Sequence, residues 1–436
     1  MKKAALNLVK VYAFTLLFVA LFVGFTASFS RILGAFETIY TTKRGLLFFH
    51  SLFALFVLLF LLIRYFVRVY RHKGLKTMLS RLLLRCLLPL TILVFSVRAI
   101  IKNNLHEDFN YQWDYSIENT NTHSNDAYAL DTKHRGMSVY RSWSSKDFPV
   151  DDLIRSNIEW VALFPYFYQK DESTKTVTTP ELPGQWSRRD SVYINDIKTI
   201  KAKGLHVMLK PHLWMSEGWR SNITLNSDSE WNTWFDSYKK NLMHYALMAE
   251  ATGVELLCIG TELRTSVDRQ PEQWIALIKD IKAIYHGELT YAANWDSDFA
   301  AIEFWSLLDY IGIQAYFPLT KEGNPDLETI KQGWAPHMKT MEAASKAFNK
   351  PILFTEVGYR NDIYATVSPW EWGSAFDRLY IKKSDRVQQL AYEALFETLW
   401  EQPWFAGLYP WQWNSGDFPI RNKPSENTIA KWYGKE

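Results

Sequence analysis

Two stretches of this 436-residue chain run from an apolar core directly into a carboxylate. One reads Leu256-Leu257-Cys258-Ile259-Gly260-Thr261-Glu262-Leu263, the other Pro351-Ile352-Leu353-Phe354-Thr355-Glu356-Val357-Gly358-Tyr359. A charge at the end of a buried run is costly unless it is paired, or solvated and used. Singly, either glutamate is accounted for by a neighbouring cation such as Arg264 or Arg360. Two in matched settings point to shared acid–base chemistry. Cleavage of a glycosidic bond needs two carboxyls, one to protonate the leaving oxygen and one to attack the anomeric carbon or activate water. A separation of about 5–5.5 Å accompanies retention, and about 6.5–9.5 Å inversion.

The elements that must position this pair follow from the hydrophobic pattern. After residue 133, short apolar runs alternate with amphipathic stretches, bounded by polar residues or Gly and Pro. The predicted strands are Gly136–Tyr140, Trp160–Pro165, His206–Lys210, Glu255–Ile259, Leu289–Ala293, Tyr310–Gln314, Ile352–Thr355 and Gly407–Pro410. Ser227 to Glu230 reads as a capping box, opening a helix whose Trp231, Trp234, Tyr238, Leu242, Tyr245 and Ala249 share one face. A second helix is predicted from Pro271, where a missing N–H is harmless. Eight strand-then-helix units predict a (β/α)8 TIM barrel. The competing doubly wound sheet lacks a Gly-rich phosphate loop after an early strand. In a barrel, strand C-termini point into the mouth, and Glu262 and Glu356 would end the fourth and seventh strands.

The motifs GMSVY at 136, NIEWVALFPY at 157, VMLKPHLW at 207, CIGTEL at 258, YAANW at 291, YIGIQAYFP at 310, LFTEVGY at 353 and GLYPWQWN at 407 resemble clan A of the glycoside hydrolases. The Gly-Thr-Glu form, together with Lys-Pro-His, is most similar to family 113. The resemblance covers roughly residues 133–433. It implies an endo-β-1,4-mannanase-like, retaining enzyme with Glu262 as acid/base and Glu356 as nucleophile. It further implies that Tyr316 donates to the nucleophile and that Lys210 and His212 line the sugar site. Asn294 and Trp295 would offer a hydroxyl contact and a stacking face, and Trp411 or Trp413 a floor. Thr261 stands where most clan families carry Asn, which puts the usual 2-hydroxyl contact and the sugar preference in question.

Ten histidines show no H-E-x-x-H spacing, so neither metal nor cofactor is expected. Two cysteines, Cys86 and Cys258, give no disulfide framework. Residues 1–102 hold 15 Lys/Arg and one acid, Glu37, whereas the rest holds 34 Lys/Arg and 45 Asp/Glu. That acidic body argues against a nucleic-acid partner. All 19 Trp follow residue 112; most are explained as packing, and they support a glycan partner only weakly.

The basic front is apolar. Val11–Ser30 and Gly45–Ile63 are each long enough to cross a bilayer, and Leu82–Ile101 makes a third span if Arg85 and Arg98 snorkel. The segment between the second and third carries Arg64, Arg68, Arg71, Lys73, Lys76, Arg81 and Arg85, which marks it as cytoplasmic. Three spans put the body outside; two would put it in the cytoplasm. The expected organisation is a membrane anchor over 1–102, a polar linker over 103–132 and a catalytic barrel over 133–436. Competing readings are a tethered glycan-binding protein without turnover, a clan relative acting on another β-glycan, and a structural role for the spans with the barrel as passenger.

Overall fold

The computed structural model describes residues 2–26, 36, 39–40, 43–106, 108–118, 127–140, 148–179, 187–296, 298–374, 376–414 and 416–435. The chain forms two compact units, Met1–Ala99 and Ile100–Glu436.

The first unit is helical. Lys2–Thr26 is one helix, and helical structure then runs from Lys43 through Leu82 and a π turn at Leu83–Leu87 into Leu88–Asn104. Two stretches are long and apolar enough to cross a membrane, Ala5–Val23 and Gly45–Asn104. The second is not straight. Gly74 has φ 76° and ψ 172°, and Arg81 and Arg85 each donate to Tyr65 Oη at 3.2 Å. Residues 16 and 20 positions apart on a straight helix would lie about 24–30 Å apart. The chain therefore folds back at Gly74, where a residue without Cβ adopts the left-handed region at little cost.

The second unit is a closed barrel of eight parallel strands. Its strands are β1 (His134–Ser138), β2 (Trp160–Leu163), β4 (His206–Leu209), β6 (Leu256–Thr261), β7 (Glu288–Asn294), β8 (Tyr310–Gln314), β9 (Ile352–Val357) and β10 (Phe405–Pro410). They pair in the order β1-β10-β9-β8-β7-β6-β4-β2. All eight expected strands are present. Two more, β3 (Tyr166–Gln169) and β5 (His212–Met215), form a parallel pair beyond the ends of β2 and β4. His212 is thus held on a strand.

Strands buried on both faces read as nearly continuous apolar runs, yet the pleat still sorts them by alternation. Trp160, Ala162, Met208, Leu256, Cys258, Ala292, Leu353 and Tyr409 form one buried cluster inside the barrel. Their sequence neighbours Val161, Val207, Leu257, Tyr291 and Phe354 join the cluster beneath the helices. Gly407 closes the ring opposite His134, at φ 114°, where a Cβ would sit 2.3 Å from the His134 carbonyl oxygen.

The helix over Asp228–Thr252 buries the expected face. Its capping box is only half formed. Ser227 accepts from the Glu230 N–H, but the Glu230 carboxylate reaches the N–H of Asn226 instead. A complete box occurs at Ser187 and Asp190. The helix at Pro271 runs to Lys282 as expected.

The polar stretch expected as a linker is held against the barrel over much of its length. Asn104 O accepts from Lys383 N–H, and Asp108 accepts from the Ser384 hydroxyl at 2.6 Å and Asp385 N–H at 2.8 Å. Farther on, Tyr111 donates to Glu426, Lys431 pairs with Asp114, and Asn157 donates to Glu118 O. Asp108 thereby extends the N-cap of the helix Asp385–Leu399. Asp108→Ala should lower unfolding free energy by about 1–2 kcal/mol, read as a lower denaturation midpoint of the detergent-solubilised chain with unchanged far-UV circular dichroism.

Candidate active site

Lys210 follows β4 and is wholly buried, its ammonium inside the barrel mouth. Nζ donates to Gln314 Oε1 at 2.6 Å, Glu356 Oε1 at 2.7 Å and Thr355 O at 3.2 Å. Three donors meet three acceptors, so the buried cation is fully satisfied. Glu356 lies in β9, 4% exposed, and its second oxygen accepts from Tyr316 Oη at 2.9 Å. His212 Nε2 lies 3.3 Å from Oε1, off the axis of a strong hydrogen bond. Burial alone would push the Glu356 carboxyl up, but Lys210 and His212 outweigh it and hold the group well below the usual carboxylate range. Burial pushes His212 down to about 4, aided by Lys210 and opposed by Glu356, so its imidazole is neutral at pH 7. Burial, then the Glu356 charge, holds the Tyr316 phenol firmly protonated.

Glu262 is in the opposite condition. It follows β6, is 7% exposed, and has φ +54°, a left-handed backbone that side chains other than Gly and Asn seldom adopt. Its turn is clamped from several sides. Glu262 N–H donates to Ala292 O, Leu263 N–H to the Tyr291 phenol, and the Ser221 hydroxyl to Glu262 O at 2.7 Å. Asn294 Nδ2 donates in turn to Ser221 Oγ at 2.9 Å. Burial raises the Glu262 pKa; the Arg220 charge pulls it down and the Glu356 charge pushes it up, for a net rise. Two carboxyls at one mouth are thus driven apart in acidity.

Both carboxylates lie where strand register breaks. Cys258 pairs with Thr290 and Thr261 with Ala292, three residues against two. Phe354 pairs with Ile313 and Glu356 with Gln314, two against one. Such bulges turn a side chain out of the simple alternation. Without the second, Glu356 would share the outward parity of Phe354.

The expected arginine partners are engaged elsewhere: Arg264 with Asp296, Arg360 with Asp362 and Asp377. The partner of Glu262 is Arg220, whose Nε and Nη2 donate to Glu262 Oε2 at 3.0 and 2.8 Å. Its guanidinium also stacks 4.6 Å from the Trp219 ring centre. Arg220 lies on a short 3-10 turn beyond β5, where no sequence pattern distinguishes it from any surface arginine. Gln314, equally unanticipated, closes an apolar strand as the two glutamates do, a polar ending that marks the mouth.

The remaining candidates divide. Trp411 stacks parallel to His212 at 6.1 Å and edge-on to Phe164 at 5.0 Å, in the same cluster as Tyr316. Trp413 is wholly buried among the residues beneath the helices, so of the two indoles Trp411 belongs to the mouth. Trp295 stacks on the half-exposed Trp370 at 5.0 Å. Asn294 braces the Glu262 turn through Ser221. Thr261 is 2% exposed, and its hydroxyl has no oxygen or nitrogen partner among the described residues. No group of three or more His, Cys, Asp or Glu among the described residues is placed to hold a metal ion.

A closed parallel barrel with two carboxyls of opposed acidity at its mouth is the arrangement that a barrel glycosidase requires. The sequence matches the model of Glycoside Hydrolase Family 113 over residues 135–435, and the chain belongs to that family. A solved complex of a GH113 β-1,4-mannanase is 24% identical, with a TM-score of 0.59 over 70% of this chain and 99% of that one. The GH113 β-mannanase AaManA from Alicyclobacillus acidocaldarius, in complex with ManMIm, is 24% identical, with a TM-score of 0.58 over 69% and 97%. A comparison with curated proteins gives no match.

Lys210→Met should destabilise the barrel by about 3–5 kcal/mol at pH 7, because it strands a buried carboxylate. The wild-type contribution is present above the unfolded carboxyl pKa and is lost as pH falls through the depressed folded value. The deficit should therefore shrink below pH about 4, as measured by denaturant unfolding across pH.

Proposed function

We propose that the chain hydrolyses β-linked glycan with net retention, β-1,4-mannan being the favoured substrate. Glu262 acts as acid/base and Glu356 as nucleophile. The observation that carries this is the opposed acidity of the two groups: burial raises the Glu262 pKa above its usual value, while Lys210 and His212 hold Glu356 below its own. In the first step Glu356 attacks the anomeric carbon and Glu262 gives its proton to the departing oxygen. Forming the glycosyl ester removes the Glu356 charge, so the Glu262 pKa drops and it takes a proton from the incoming water. The mannan preference rests on family membership and on neighbours whose own descriptions are β-1,4-mannanase.

The helical front serves as a membrane anchor with three passes. The fold-back at Gly74 supports this count, because it splits the longer apolar stretch in two and puts Arg64–Arg85 around the turn. The positive-inside rule then puts that turn in the cytoplasm and the catalytic unit on the opposite side.

Glu262→Gln should lower turnover on unactivated β-1,4-manno-oligosaccharides by about 10²–10⁴-fold. Glu356→Ala should abolish it while oligosaccharide affinity persists, and proton NMR of the wild-type reaction should show the β-anomer first. Initial release of the α-anomer would defeat the double displacement. A second expectation concerns pH. Activity requires Glu262 protonated, so it falls as pH rises through that pKa. Arg220 pulls this value down, so Arg220→Met should shift the basic limb of kcat/KM to higher pH and leave the acidic limb in place.

A further inference from the structure

Trp372, Phe376, Leu379 and Tyr380 lie on the loop between β9 and the helix Asp385–Leu399, and are 59, 72, 38 and 67% exposed. Scattered exposed apolar residues are ordinary; several clustered between positions 372 and 380 are not. The neighbouring Trp370 is accounted for by its stacking on Trp295. Trp372 in turn packs edge-on against Phe418 at 5.3 Å, which leaves Phe376, Leu379 and Tyr380 as the exposed set.

The path of the chain supplies the second observation. The helix Leu88–Asn104 ends at the base of this loop, where Asn104 O accepts from Lys383 N–H. Asp108 then fastens the strap to Ser384 and Asp385. Leu105 and Phe109, each next to one of these contacts, are 40 and 44% exposed. The last turn of the helix Leu88–Asn104 thus lies, within the second unit, a few residues from the aromatic loop. Trp and Tyr, with an apolar body and a polar tip, suit the bilayer–water boundary, and Phe and Leu suit its upper acyl layer.

We propose that this loop, with Leu105 and Phe109, seats in the headgroup region of the lipid bilayer that holds the anchor. The proposal rests on the anchor reading above and adds a contact which that reading does not require. It would hold the loop side of the barrel mouth at the membrane surface.

The test uses the full chain in phosphatidylcholine vesicles, with a bimane label on Phe376→Cys or, on an exposed residue of the helix Ala127–Asp131, on Leu130→Cys, both in a Cys86→Ala background. Cys258 is wholly buried. A headgroup nitroxide lipid should quench the label at 376 at least about twofold more than at 130. Equal quenching, with the protein floating with the vesicles, overturns the proposal and leaves the anchor standing. Failure to float overturns both. Protection of the 376 label by a manno-oligosaccharide in lipid-free detergent would assign the loop to the sugar groove and overturn the lipid contact.

Discussion

The buried pair of Lys210 and Glu356 is the interaction on which the site depends. A carboxylate in a dry barrel ordinarily takes up a proton, and a buried ammonium ordinarily loses one. Here Lys210 holds the Glu356 carboxylate ionised against its burial, and Gln314, Thr355 and Tyr316 take up the remaining valences. Such a network is worth having only when complete, since a half-satisfied one is worse than an apolar core. Its members come from β8, β9 and the ends of β4 and β8, so the barrel must close before the site exists.

Glu262 is poised by a different means. A guanidinium at the mouth grips one of its oxygens, and the desolvation of its surroundings prevails. The clamp through Ser221 and Asn294 joins the loop beyond β5 to the end of β7 and fixes the turn between them. Burial makes the group a weaker acid, Arg220 moderates that effect, and Ser221 holds the turn that carries it. The stacked pair of His212 and Trp411 lies on the Glu356 side, where a neutral imidazole can both donate and accept.

Much of this was legible in the sequence because burial on both faces leaves a simple trace. All eight barrel strands stand out as apolar runs, and the two glutamates stand out because each ends one. What escaped depends on events that leave no compositional mark. The bulges that re-aim Glu262 and Glu356 are slips of register against a neighbouring strand, and no single strand records them. The pairing of Arg220 with Glu262 spans 42 residues and is decided by a short turn. The β3–β5 pair is short, and in sequence it runs on from β2 and β4, so it does not stand out as separate strands. The choice between Trp411 and Trp413 likewise required the path of the chain beyond β10.

The left-handed backbone at Glu262 has an evolutionary corollary. A glutamate in that conformation gives up roughly 1–2 kcal/mol that glycine would not. Local backbone preference at this position therefore runs against the residue that occupies it. Gly or Asn there would relieve the backbone strain but would leave the Arg220 guanidinium without the carboxylate it grips. A descendant that keeps glutamate here is still under selection for what its side chain does.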